Sequence, residues 1–344
     1  MNYDYAAQDE RHFRKHTGGM GSIADIRRVV YDDGKSRGVR AAEIKNGSGL
    51  VFSVLEGRGM DIGSASWRGI PLSFETPNGF CHPSYFEPEK LGWLRNWGGG
   101  LLTGCGMRSA GAPCEFEGEE FGLHGRLSNI PAENVSLFKG WRNGRYVLEI
   151  SGEVRESRMF GENLLLKRKI STALGDESLT VEDTVENQGP RIAPLMLLYH
   201  INIGFPMLSE AAFLRAVKHR VTPRDERAKE DLETWEKAGA PALNFREQCY
   251  YHSIPDNIDG FSEITLVNPS LGIELSVSYR KDELPNLIQW RQSGACGEYA
   301  LGLEPANCLP EGIAAESGRA TLRHIKPGET VRTTVKIRLA EIAK

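Results

Sequence analysis

The run TVRTTVKIRL (residues 330–339) decides how this chain is to be folded. Val331, Val335, Ile337 and Leu339 fall on one face of an extended chain; Arg332, Thr334, Lys336 and Arg338 fall on the other. A period of two puts successive side chains on opposite faces of a sheet, so the run reads as a half-buried strand. GIELSVSY (272–279) repeats the pattern through Ile273, Leu275, Val277 and Tyr279, and SLTVEDTVEN (178–187), YVLEISGEV (146–154) and NLLLKRKIST (163–172) add further strands. The runs are separated by LGDES, ENQGP and NPSLG, the composition of turns.

Helical pattern is scarce. TPRDERAKEDLETWEKAG (222–239) predicts a helix from about Pro223 to Lys237, capped by Thr222 and stopped by Gly239, and EPEKLGWLRNW (87–97) a second, short one. Many strands without strand–helix alternation, linker or repeat predict an all-β chain, a large antiparallel β-sandwich or barrel. It is expected to form one domain over 1–344, with 1–20 as an N-terminal arm.

With 40% hydrophobic and 26% charged residues the chain has ample material for a core. A net charge of −4 leaves no basic surplus to neutralise phosphates, so nucleic acid is not an expected partner. No window approaches the roughly 20 apolar residues of a membrane span. MNYDYAAQDERHF is polar and acidic where a secretory leader is basic and then apolar, so a cytoplasmic protein is expected. Cys81, Cys105, Cys114, Cys249, Cys296 and Cys308 are scattered and read as reduced thiols.

The Gly-rich stretches WGGGLLTGCGMRSAG (97–111) and EGRGMDIG (56–63) complete neither a P-loop nor a dinucleotide fingerprint, and read as tight turns and close strand approach. Polar residues in apolar surroundings are more informative. In PLMLLYHINIGFP (194–206) an apolar strand carries His200 and Asn202 near its end. A buried polar group without a partner costs about 1–3 kcal/mol, so these two should be paired or in use. In EYALGLEPANC (298–308), Leu301 and Leu303 face one way and Ala300, Gly302 and Glu304 the other, and Pro305 should end the strand. The small residues leave space in front of Glu304, and burial there would raise its pKa toward that of a general base. His124 sits beside Gly125 in EFGLHGRLSNIPAENV (120–135). Two imidazoles and a carboxylate could hold a divalent ion, but no paired short spacing supports a metal, and none is expected.

On these same residues the chain resembles the aldose 1-epimerase (galactose mutarotase-like) superfamily, nearest to an uncharacterised bacterial branch of it. YHINIGFP is similar to the family segment carrying the catalytic acid, which implies that role for His200. LGLEPANC resembles the segment of the catalytic base, implying Glu304, and GLHGRLSN the segment of a sugar-gripping histidine, implying His124. HIKPGETVRTTVKIRL resembles the family's closing strand pair, and GRGMDI, WGGGLLTGCG, HGR and LPNLIQW are features of the branch. The chain departs from the pattern at Tyr199, at Ile203-Gly204 and at Asn307, and the acid that holds sugar hydroxyls in many relatives is matched only loosely, by Asp259.

The resemblance implies a β-supersandwich with a sugar in an open cleft across one sheet, surrounded by Arg58, Asp61, Asn96, Trp97, Arg126, Asn202 and Trp290. It implies an isomerase that interconverts the α and β anomers of an aldose, with Glu304 as base and protonated His200 as acid. No cofactor is implied, the partner is a small-molecule sugar, and the chain is expected as monomer or homodimer. Two alternatives stay open: epimerisation, isomerisation or elimination at a carbon next to a carbonyl on the same fold, and a non-catalytic carbohydrate-binding protein.

Overall fold

The computed structural model describes residues 4, 5 and 7–342. Two antiparallel sheets face each other. The larger has 11 strands, in the order Asp25–Val30, Arg40–Lys45, Leu50–Leu55, Asp61–Trp67, Leu102–Met107, Met196–Ile203, Tyr299–Ala306, Asn286–Ser293, Gln248–Ser253, Arg220–Pro223, with Ile70–Pro71 paired beside Asp61–Trp67. The smaller has eight: Glu133–Arg142, Arg145–Ser157, Asn163–Ala173, Ser178–Asn187, Thr330–Glu341, Ile273–Tyr279, Ser262–Asn268, Phe213–Arg215.

The alternation in the closing strand sets its place. Val331, Val335, Ile337 and Leu339 are buried, with Val335 opposite Val181 on one side and Tyr279 on the other. Each such side chain contributes about 1.5–3 kcal/mol, and a one-residue slip would turn all four to solvent, so the register is strongly fixed. One large apolar cluster fills the space between the sheets. A buried ion network crosses it: Arg168 donates to Asp183 from Nε (2.9 Å) and Nη2 (2.7 Å), and Tyr199 Oη donates to the same carboxylate at 2.6 Å.

A second, separate cluster lies on the outer face of the larger sheet. It joins Met196, Leu198, Ile288, Ala306 and Cys105 of four strands to Trp93, Trp97, Ala110, Cys308 and Ile313. The strand Met196–Ile203 is buried at every position because it serves both clusters: Leu197, Tyr199, Ile201 and Ile203 face the sandwich interior, and Met196 and Leu198 the outer one.

Three local expectations are corrected. The long helix is replaced by the edge strand Arg220–Pro223, the short helix Glu226–Glu230 and a 3-10 turn, Leu232–Thr234. Thr222 and Pro223 pair with Tyr251 and Tyr250, so the helix cannot start there, and Asp225 is its cap through Ala228 N at 2.9 Å. At its end the Asp231 carboxylate is drawn to Gln248 and Arg291 of the neighbouring strands. The second helix is only the 3-10 turn Gly92–Arg95. The strand holding Glu304 runs on to Ala306, with Pro305 opposite Leu287. Of the expected N-terminal arm, residues 1–3 and 6 lie outside the described residues. The helix Glu10–His16 within it is capped by Asp9 and packs buried Phe13 on Trp141, ring centroids 6.0 Å apart.

Candidate active site

The register Asn202↔Gly302 and Leu198↔Ala306 sets His200 opposite Glu304 on adjacent strands, both on the outer face of the larger sheet. His200 Nε2 lies 3.2 Å from Glu304 Oε1. Both residues are buried, 5% and 2% exposed. The contact is close but not aligned as a hydrogen bond, and Glu304 Oε1 and His200 Nδ1 are left without partners. Such groups cost stability, which makes the pair a candidate site.

Burial governs the charges here. It raises the Glu304 pKa to about 8, helped by the nearby Glu247 carboxylate and opposed by Arg224. It lowers His200 to about 3, with His124 adding to the effect and Asn202 and Glu247 opposing it. Burial thus favours the uncharged form of each group, a carboxylic acid beside a neutral imidazole, where the resemblance implies a carboxylate and an imidazolium.

An aromatic wall surrounds the pair. Trp290 is directly opposite Gly302 and its ring centroid is 5.6 Å from that of His200. Trp97 lies 5.7 Å from His200 and 6.2 Å from Trp290, and its Nε1 donates to Thr103 Oγ1 at 3.1 Å. The 3-10 turn stacks Trp93 on Trp97 at 5.1 Å, and Trp93 meets His124 at 4.7 Å. His124 has φ of 58° and Gly125 72°, a left-handed pair that turns the chain sharply. The turn is pinned by hydrogen bonds from His124 N to Gly111 O and from Gly106 N to His124 O. It presents the half-buried ring edge-on to His200 at 5.6 Å, and burial lowers the His124 pKa to about 4.

Of the residues expected around a sugar, the fold thus gathers His124, His200, Glu304, Trp97 and Trp290. Asn202 is beneath them, donating to His200 O at 2.9 Å and to Gly100 O at 3.1 Å. The others are held elsewhere. Asp61 accepts from Gly104 N at 2.7 Å and lies 3.9 Å from Arg168, in the buried ion network, where burial raises its pKa to about 7. Arg58 is buried and donates to Cys81 O at 2.6 Å. Asn96 is buried and donates to Asn129 Oδ1 at 2.8 Å. Arg126 is exposed over the Phe86 ring, and Asp259 sits in an exposed loop. His200 and Glu304 are themselves buried, next to Trp97 and Trp290. No three His, Cys, Asp or Glu side chains converge as a metal-ligand set among the described residues.

The structure adds residues the sequence did not mark. Glu247 accepts from Trp290 Nε1 at 2.8 Å and from Arg224 Nη2 at 2.9 Å, tying the indole to the rim. Trp93 completes the wall, and its four-residue spacing from Trp97 was the available signal. Gly302, already read as leaving space in front of Glu304, is the floor: a Cβ there would lie 2.6 Å from Glu304 Oε1 and 3.3 Å from His200 Cε1.

The two facing antiparallel sheets make a galactose mutarotase-like sandwich fold. The chain belongs to the family described as "Domain of unknown function (DUF4432)", whose model matches residues 36–339. Among solved structures, it is similar to a candidate aldose 1-epimerase from Klebsiella pneumoniae subsp. pneumoniae (TM-score 0.87, 23% identity, 92% of this chain and 83% of that one). It is also similar to a galactose mutarotase-like protein from Clostridium acetobutylicum (TM-score 0.66, 11% identity, 93% and 100%) and to a galactose 1-epimerase from Lactobacillus acidophilus (TM-score 0.59, 13% identity, 93% and 100%). At these identities the likeness is one of fold. No curated protein sequence matches the chain.

Proposed function

We propose that the protein is a carbohydrate isomerase that interconverts the anomers of an aldose, with His200 and Glu304 as its acid–base pair. The observation that carries this reading is the buried 3.2 Å approach of His200 Nε2 to Glu304 Oε1, two groups whose pKa values are pushed apart so that they hold one proton between them. Ring opening needs one proton taken from the anomeric hydroxyl and one given to the ring oxygen. From the resting state His200 takes the first and Glu304 gives the second. The bond from C1 to the ring oxygen breaks with its electrons passing to that oxygen, and C1 becomes an aldehyde carbon. Rotation about C1–C2 and the reverse transfers close the ring on the other face, so each group is acid and base once per turnover. A positioned group of this kind typically contributes about 10²–10⁴-fold. Trp97 and Trp290 supply faces for the C–H side of the ring, and His124 a nitrogen for a hydroxyl.

The test is anomer exchange followed by NMR in D₂O over a panel of aldoses and uronic acids, with Glu304→Gln as control. Acceleration of one sugar class that disappears in the variant is expected. Deuterium incorporated at C2 or C3, without anomer acceleration, would replace the assignment by proton transfer at carbon.

A further inference from the structure

A cavity of about 550 Å³ lies away from the acid–base pair, at the far end of the two strands that carry it. The strand Met196–Ile203 runs from His200 to Gly204 on the cavity's edge, four residues or roughly 13 Å at strand rise. The strand Tyr299–Ala306 runs the other way, from Tyr299 on the cavity's edge to Glu304. A contact chain follows the same path: Phe74 in the cavity wall meets Trp97 at 6.0 Å, and Trp97 meets His200 at 5.7 Å.

The close approach that forms the cavity is built in. Ser73 bridges Ile203, and a Cβ on Gly204 would lie 2.7 Å from Phe74 Cα, so only glycine lets the two segments meet. The lining pairs apolar faces with hydroxyls and a carboxylate. Phe205 is 72% exposed, a ring with little protein over it, and Phe74 stands beside it. Ser64, Ser66, Ser73 and Glu75 supply the polar groups. No ion pair involves Glu75 among the described residues, and its contact with Ser73 Oγ is long, 3.4 Å. Rings that can lie on C–H faces, next to hydroxyls and an exposed carboxylate that can hold O–H groups, suit a pyranose and suit neither a nucleotide nor an acidic ligand.

We infer that this cavity is a saccharide subsite, holding a distal unit of an oligosaccharide whose reducing end reaches His200 and Glu304. The inference rests on the proposed reading of that pair, and it makes the substrate class a short oligosaccharide. Phe205 stacks on the distal ring and Glu75 accepts from its hydroxyls. Neither residue belongs to the acid–base machinery, so their loss leaves monosaccharide turnover unchanged.

The test compares anomer-exchange kcat/KM for glucose with maltose and maltotriose, and for galactose with lactose, in wild type, Phe205→Ala and Glu75→Ala. Oligosaccharides are expected to be the better substrates. Phe205→Ala should lower their kcat/KM about threefold to tenfold, the range of a single aromatic contact, with monosaccharide values unchanged. Equal efficiency of mono- and oligosaccharides in wild type, or an oligosaccharide advantage that survives both substitutions, overturns the subsite. Acceleration of no sugar at all counts against the acid–base reading, and titration calorimetry with maltotriose, cellotriose and galactotriose then decides the cavity. Binding that Phe205→Ala weakens keeps the subsite, and no binding removes it.

Discussion

Replacing Gly302 by alanine tests whether the space in front of Glu304 is part of the site. The added Cβ would sit 2.6 Å from Glu304 Oε1, 3.1 Å from Trp290 Cβ and 3.3 Å from His200 Cε1. Ordinary contact begins at 3.4 Å, so the carboxyl oxygen must retreat by the difference, about 0.8 Å, while the ring and the indole give by a few tenths. Gly302 does not have a left-handed backbone, so alanine adds no backbone strain, and the strand remains paired on both sides. Overpacking of this size costs about 1–3 kcal/mol in stability. Its effect on chemistry is larger: displacing a reacting group by about 1 Å can cost about 10²-fold. Anomer exchange should therefore fall by about two orders of magnitude in a protein that still folds, as checked by circular dichroism and thermal unfolding. A folded Gly302→Ala variant with wild-type rates would refute the claim that His200 and Glu304 work from their present separation.

Other outcomes follow from the same charges. The rate should be level between limbs near pH 3 and pH 8, falling above about 8 as the pair loses its only proton and below about 3 as it gains a second; the limbs belong to the pair and not to either residue. Because Glu304 binds its proton more tightly folded (about 8) than at its ordinary value of 4.5, its stabilisation is complete below about 4.5 and lost as pH rises through 8. Glu304→Gln should thus unfold at a higher temperature than wild type at about pH 9 and at the same temperature at about pH 4; an equal difference at both would contradict this. Arg168→Met strands Asp183 as an uncompensated buried charge and should cost about 3–5 kcal/mol in urea unfolding, and a loss below about 1 kcal/mol would show that the network carries little.

The sheets were legible in the sequence because alternation reports burial directly. The closing strand, its neighbours Ile273–Tyr279 and Ser178–Asn187, and the opposite facing of Leu303 and Glu304 all lie as the pattern requires. The helix at 223–237 was misread because Thr222, taken as its cap, and Pro223, taken as its first residue, have partners in an edge strand. His200 and Glu304 could be nominated from two strand tips, and the wall around them from Trp97 and Trp290. Arg58 and Asp61 look the same as site residues in one dimension; only the third dimension turns Asp61 toward Arg168 and Arg58 toward Cys81. Glu247 was invisible, since its partners Trp290 and Arg224 are 43 and 23 residues away in the chain. The raised pKa of Glu304 was foreseeable from its apolar setting, but the lowered one of His200 was not, because it depends on how deeply the ring is covered and on the nearness of His124.

One sheet separates the two apolar clusters, and the pair sits with the outer one. Trp93, Trp97 and the turn at His124 rest on that outer face and add nothing to the packing between the sheets. Their packing is thus distinct from that of the sandwich interior, while the strands below keep His200 and Glu304 in register. On the proposed function, the covering and the pair beneath it are separable parts: a change in the covering alters which sugar is admitted and leaves the positions of His200 and Glu304 to the sheet.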